Sequence, residues 1–203
     1  MTHFKYEHAI QWLQKRGQET IHPEYRILDE EKDLLKKLLC YFLKDKDTAP
    51  YLGINLNKGI LLNGPIGCGK TSLMKLMRFY EPANTRFILK SCREISFEFI
   101  QQGYEVISKY SNRSFNNFEP VTYCFDDLGT ERNIKYFGNE CNVLAEVLLS
   151  RYDLFTSRKL ITHITTNLSA TEIESFYGNR LRSRLREMFN LIAFRHTIPD
   201  KRK

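Results

Sequence analysis

Apolar positions along this chain alternate between two periods. At 29–43, Leu34, Leu35, Leu38, Leu39 and Phe42 form one helical stripe behind Asp29 and Glu30, two acids suited to the positive end of a helix dipole. At 59–62 a short unbroken apolar run has the pattern of a buried strand. Leu73, Leu76 and Met77 then predict a helix over 72–80, ended by Pro82. Further strands are expected at 87–89, 121–125, 160–165 and 191–194. A helix over 94–110 would place Phe97, Ile100, Tyr104 and Ile107 near one face, and another over 142–155 would present Val143, Leu144, Val147, Leu148, Tyr152 and Phe155. Ser169-Ala-Thr-Glu172 is a capping box for a helix that Gly178 ends, and Leu181, Leu185 and Met188 continue with a new stripe. The polar first 25 residues, with Phe4, Tyr6, Trp12 and Tyr25, predict only a short helix at 9–13, and the polar stretches 44–58 and 111–119 predict loops. Strands alternating with helices indicate an α/β fold around a parallel sheet, here with five strands.

Chemistry enters between the first strand and its helix. Residues 64–71 read GPIGCGKT, the spacing of a phosphate-binding loop. Glycines let successive backbone N–H groups curl inward toward phosphate oxygens, and the helix N-terminus adds positive potential. Gly64, Pro65, Ile66, Gly67, Cys68, Gly69, Lys70, Thr71 and Ser72 are the candidate nucleotide-binding residues. Lys70 would reach the β- and γ-phosphates, and the Thr71 hydroxyl would hold Mg²⁺. A chance glycine turn would lack the flanking strand and helix.

The strand at 121–125 runs into Asp126-Asp127-Leu128-Gly129. An apolar strand ending in an acid carries a carboxylate to the sheet edge, where Asp126 can bind Mg²⁺ directly or through water. Asp127 and Glu131 are both candidates to act on the attacking water. Taken alone, Asp-Asp after a strand is as well explained by a solvated turn; about fifty residues after a phosphate loop it gains weight. Asn167, leaving the strand at 160–165, can orient water and sense the γ-phosphate, although asparagine is also a common turn former. His163, inside that strand, reads as a core residue. Arg180 and Arg184 share a helix face; such bands are often just solvated, but an arginine before the last strand can reach a neighbouring subunit's γ-phosphate. The segment 25–28 is a candidate lining for an adenine pocket.

The 203 residues suffice for one domain with an extension. A net charge of +7 suits an anionic partner or a merely basic protein. The five cysteines show neither a C-x-x-C pair nor zinc spacing, so reduced thiols in a cytoplasmic protein are expected. No apolar run approaches a membrane span, and the polar start is not a secretory signal.

Four pieces, GPIGCGKT, YCFDDLG, ITTNLS and YGNRLRSRLREM, occur in the order seen in AAA+ P-loop ATPases, and the last three resemble the DnaC/DnaI helicase-loader and IstB transposition-helper group. The resemblance covers about 58–194. It implies a five-stranded parallel sheet sandwiched by helices, with the sensor strand between the phosphate-loop strand and the acidic strand. It implies a Walker B pair at Asp126 and Asp127, where many relatives carry Glu at the second position. It further implies sensor 1 at Asn167, an arginine finger at Arg184 and a companion basic residue at Arg180. Residues 1–57 are then expected to be a short helical extension packing on an AAA+ core at 58–203. Only nine residues follow the last expected strand, so no C-terminal helical lid is expected.

The leading expectation is a Mg²⁺-dependent ATPase that assembles as a nucleotide-dependent homo-oligomer on DNA, single-stranded and bound without sequence preference, and delivers a replicative helicase. The rivals are an IstB-like helper of a transposase, a small-molecule P-loop kinase and a slow nucleotide switch. The kinase would need an acceptor pocket and an arginine-bearing lid, which the Asp-Asp strand and terminal arginine helix fit poorly.

Overall fold

The computed structural model describes residues 2–116, 119–131, 134–136, 139–195 and 197–201. The chain divides into two compact units. The first comprises Met1–Leu56, Gly64–Arg86 and Ile192–Lys203, and the second Asn57–Asn63 and Phe87–Leu191.

The first unit packs three helices: α1 (Thr2–Thr20), α2 (Lys32–Phe42) and α3 (Lys70–Met77). The stripe expected on α2 is buried throughout, joined by Cys40 and Tyr41. On α3, Leu73, Leu76 and Met77 are buried together with Met74. Helix α1 is far longer than the short helix at 9–13 that the sequence predicts. Its inward positions, Tyr6, Leu13 and Gly17, do keep helical spacing. Gly17 contributes no hydrophobicity, yet it is the contact: a Cβ there would stand 2.2 Å from Cδ1 of Tyr25. A stripe containing glycine is hard to see by hydropathy.

The second unit carries β1 (Gly59–Asn63), β2 (Ile88–Ser91), α4 (Cys92–Gln102), α5 (Glu105–Tyr110), β3 (Phe115–Asn116) and β4 (Glu119–Pro120). It continues with β5 (Tyr123–Leu128), β6 (Ile134–Tyr136), β7 (Asn139–Cys141), α6 (Val143–Arg158), β8 (Thr162–Thr166) and α7 (Ala170–Met188); β9 (Phe189–Ala193) begins in this unit. The main sheet has five strands in the order β2-β5-β8-β1-β9. The pairs β2–β5, β5–β8 and β8–β1 are parallel. Strand β8, the expected sensor strand, therefore lies between β1 and β5. His163 is a core residue, as expected: its Nδ1 accepts the Ile60 N–H at 3.0 Å, and its ring meets the edge of Phe87.

Three local expectations are corrected. The helix over 94–110 is two helices, separated at Gly103, which adopts positive φ. Of its predicted apolar face, Ile107 packs partly buried against the core, but Phe97, Ile100 and Tyr104 are each at least half exposed, while Cys92, Ile95, Phe99, Val106 and Tyr110 face the core. The expected loop at 111–119 contains the short antiparallel pair β3–β4. On α6 the core takes Arg151 rather than Tyr152 or Phe155, which are only partly buried. The capping box holds: Ser169 Oγ accepts the Glu172 N–H at 3.2 Å, and Glu172 accepts the Ser169 N–H at 2.7 Å. Gly178, with φ 82° and ψ 161°, ends the first helical stretch of α7 as expected, and a second stretch follows it across a kink.

Candidate functional site

The phosphate-type loop lies in the first unit. It leaves the end of β1 at Gly64 and enters α3 at Lys70. Gly67 (φ 82°) and Gly69 (φ 95°) are left-handed, the backbone that curls the loop and that side chains resist. Lys70 is buried, and its Nζ donates to the carbonyls of Gly64 (2.8 Å) and Pro65 (2.9 Å), closing the loop on itself. Cys68 is buried, with its thiol pKa raised by burial. Ile66 is exposed at the tip, while Thr71 and Ser72 are half-buried on the first turn of α3.

The acidic site lies in the second unit. The register of β5 against β8 shifts between Phe125 and Leu128, and Asp127 sits in that irregularity with φ 57°. A left-handed non-glycine residue is uncommon and concentrates at functional positions. Asp126 is buried, and its Oδ1 accepts the Thr165 hydroxyl at 2.6 Å. The same hydroxyl oxygen accepts the Asp127 N–H at 2.9 Å. The Asp127 carbonyl accepts the Thr130 hydroxyl at 2.7 Å. One threonine thus holds the first acid's carboxylate and the second acid's backbone.

Asn167 is exposed just past β8, on a turn clamped from both sides. Thr166 Oγ1 donates to the Leu128 carbonyl at 2.7 Å and accepts the Leu168 N–H at 3.1 Å. The Leu168 carbonyl accepts Asn63 Nδ2 at 2.7 Å. Asn63 is the last residue of β1, so this turn is fastened to both neighbouring strands.

Glu131 is already engaged. Its carboxylate accepts the Gly129 N–H at 2.9 Å and the Tyr177 hydroxyl. Burial and then the Glu131 charge raise the Tyr177 pKa, so this phenol remains a donor. Burial, followed by the carboxylates of Glu131 and Asp126, pushes the Cys92 thiol well up.

On α7, Arg180 is exposed. Arg184 lies over the Tyr152 ring, 4.2 Å from its centroid, with Nη1 2.9 Å from the phenol oxygen. The same phenol donates to Glu187 at 2.8 Å, and Arg184 reaches Glu187 at 3.6 Å. An aromatic stack pre-orients a guanidinium while leaving part of it in solvent.

The solved structure of the DnaC helicase loader superposes with a TM-score of 0.58 at 19% identity, over 85% of this chain and 94% of that one. The DnaI structure gives 0.56 at 17%, over 86% and 90%. This chain therefore shares the fold of these two structures. AMPPCP-bound DnaA of Aquifex aeolicus shares that fold less fully, with a TM-score of 0.51 at 18% identity over 84% of this chain and 48% of that one. No family model matches the chain. A cell division cycle ATPase of Plasmodium falciparum is 29% identical over 142 residues, which is 70% of this chain. An inactive ATP-dependent zinc metalloprotease of Arabidopsis thaliana chloroplasts, FTSHI 1, is 39% identical over 67 residues, which is 30% of this chain. These two matches span only 10% and 7% of the relatives' own lengths.

Asp126, Asp127 and Asn167 stand at the ends of adjacent strands, β5 and β8. Sequence reasoning missed Thr165, Thr166 and Asn63, which fix those three. Their signal was present as polar residues ending apolar strands.

Proposed function

We propose that this chain is a Mg²⁺-dependent ATPase that assembles with copies of itself on DNA and delivers a replicative helicase. The observation that carries the reading is Asp126, a buried carboxylate hydrogen-bonded by Thr165 on the strand beside the one that runs into the phosphate-type loop. The loop N–H groups and Lys70 bind the triphosphate. To do so Lys70 exchanges its two loop carbonyls for phosphate oxygens. The Thr71 hydroxyl and the Asp126 carboxylate are hard oxygen donors, a set that suits Mg²⁺. Bound there, Mg²⁺ would neutralise charge on the phosphate oxygens. Asn167 orients the attacking water, and Asp127 accepts its proton. Arg184 from a neighbouring copy stabilises the charge of the transition state, with Arg180 beside it as a second cation. The likeness to DnaC and DnaI favours a helicase over a transposase as the protein served. A net charge of +7 supports contact with DNA phosphates, an interaction that weakens as salt rises.

The test is ATP turnover against protein concentration, with and without single-stranded DNA, for wild type and Arg184→Ala. Specific activity should rise with concentration, and Arg184→Ala should abolish the rise, because an arginine supplied in trans contributes about 10³–10⁵ in rate. Constant specific activity and a silent Arg184→Ala would end the assembly reading.

A slow nucleotide switch is the second reading. It is favoured by Asp127 standing where many members of the resembled group carry Glu, and by Glu131 being held by Tyr177 and Gly129.

A further inference from the structure

The segment around Lys201 lies against the phosphate-type loop. The Lys201 backbone N–H donates to the Gly67 carbonyl at 3.0 Å. Its side-chain stem passes Gly69, where a Cβ would stand 3.6 Å from Lys201 Cδ. Its ammonium ends on the buried carboxylate of Glu31, 2.7 Å from Oε1 and 2.6 Å from Oε2, and donates to the Arg26 carbonyl at 3.2 Å. Glu31 in turn accepts the Leu28 N–H at 2.8 Å. The neighbouring Asp200 carboxylate occupies the space a Gly67 side chain would need: a Cβ there would lie 2.0 Å from Oδ1. One residue therefore joins the outer, carbonyl side of the loop to the 26–31 segment.

We propose that Lys201 is a positioning residue for the phosphate loop, a brace that holds Gly67–Gly69 in its left-handed turns before nucleotide arrives. The physical argument is preorganisation. Glycines give the loop its curl but leave it many other conformations, and ordering it on binding costs affinity. A hydrogen bond on the carbonyl side leaves the N–H side free for phosphate. The ion pair that anchors this hydrogen bond is mostly buried, with 5% of the Glu31 side chain and 20% of the Lys201 side chain exposed, so solvent screens it less than a surface pair. The inference rests on the ATP reading for its consequence, but the brace itself can be read without nucleotide.

Cys68 inside the loop and Cys40 on α2 are both buried cysteines of the same unit, neither in a disulfide, and they serve as reporters. The experiment measures alkylation of each, by peptide mass spectrometry, on the nucleotide-free full chain, and titrates a non-hydrolysable ATP analogue with Mg²⁺ by calorimetry. Lys201→Met should speed Cys68 alkylation about tenfold without speeding Cys40, as expected for a local opening. It should also weaken the analogue about tenfold. Lys201→Arg should restore both. Should Lys201→Met fold poorly with Glu31 unpaired, Glu31→Gln combined with Lys201→Met removes both charges and carries the same expectation. Unchanged Cys68 alkylation in a folded variant would overturn the brace, as would equal acceleration of Cys40 and Cys68, which marks general loosening. If wild type binds no nucleotide while Cys68 still responds selectively, the ATP reading fails and the brace stands.

Discussion

The Thr165 hydroxyl donates to Asp126 at 2.6 Å while accepting the Asp127 N–H at 2.9 Å, so one side chain on β8 sets the geometry of two acids on β5. Thr165→Val keeps the shape and removes both bonds. Groups that hydrogen-bond a metal-binding carboxylate typically matter by about 10–100-fold in metal affinity or activity. If Asp126 holds Mg²⁺ as proposed, Thr165→Val should lower turnover by about that factor, and Thr165→Ser should retain most of it. Turnover against Mg²⁺ concentration reads the effect, and a Thr165→Val protein with the wild-type Mg²⁺ profile would detach Thr165 from the site.

Arg151 is the largest fully buried side chain described, and it does not face a carboxylate. Its Nε donates to Thr162 Oγ1, Nη1 to the Tyr110 carbonyl and Ser114 Oγ, and Nη2 to the carbonyls of Val121 and Ile161. Burial lowers its pKa to about 9, so it keeps its proton at neutral pH. The fan-shaped guanidinium joins α5, α6, β8 and the segment leading into β5. Lysine has the charge but not the fan. Arg151→Lys should leave buried carbonyls unpaired and cost about 3 kcal/mol or more, since each orphaned buried group costs about 1–3 kcal/mol. Urea unfolding measures it, and a loss under about 1 kcal/mol would contradict this account.

Glu98 gives the second unit an acid-sensitive contact. Burial alone would raise its pKa. Hydrogen bonds from Lys109 Nζ (2.7 Å), Tyr110 (2.9 Å) and Lys90 Nζ (3.3 Å) outweigh burial and hold it below the ordinary value. With the folded pKa below the unfolded one, unfolding takes up a proton in the window between them. The stabilisation is therefore complete above the unfolded carboxylate pKa, about 4.3, and is lost as pH falls through the folded one. Unfolding midpoints measured from pH 6 downward should fall more steeply for wild type than for Glu98→Gln, and identical slopes would remove Glu98 from the acid response.

The loop and the position of the acids were legible because a glycine loop and an apolar strand ending in Asp are local signals, whereas the place of β8 between β1 and β5 was implied only by the family resemblance. The contacts that set the site were not legible. Thr165 acts on β5 from β8, Lys201 acts on Gly67 across more than half the sequence, and neither pairing leaves a periodic trace. Helix α1 escaped because Gly17 packs on Tyr25 by being small. Arg151 inverted the usual rule, since its cost of burial is offset by partners from separate segments. The outward positions misled because Phe97 and Ile100 on α4 and Tyr104 just before α5 keep helical spacing in the sequence as well as the buried face does.

Asp127 is the residue where conformation and chemistry can be separated. Its φ of 57° lies in the left-handed region, which asparagine tolerates and a β-branched side chain does not. Asp127→Asn should therefore fold with stability within about 0.5 kcal/mol of wild type, whereas Asp127→Val should lose about 1–2 kcal/mol more. Turnover then divides the two functional readings. If Asp127 takes the proton of the attacking water, Asp127→Asn should lower turnover by about 10²–10⁴, the usual scale for a general base, while nucleotide affinity holds. If turnover is unchanged in the folded Asp127→Asn protein, Asp127 is a conformational residue only. Glu131→Gln, which keeps acceptors for Tyr177 and Gly129, then asks whether the remaining acid does the work. Two silent variants with intact nucleotide affinity, together with slow turnover by wild type, would leave a chain that binds nucleotide and hardly hydrolyses it, as the switch reading requires.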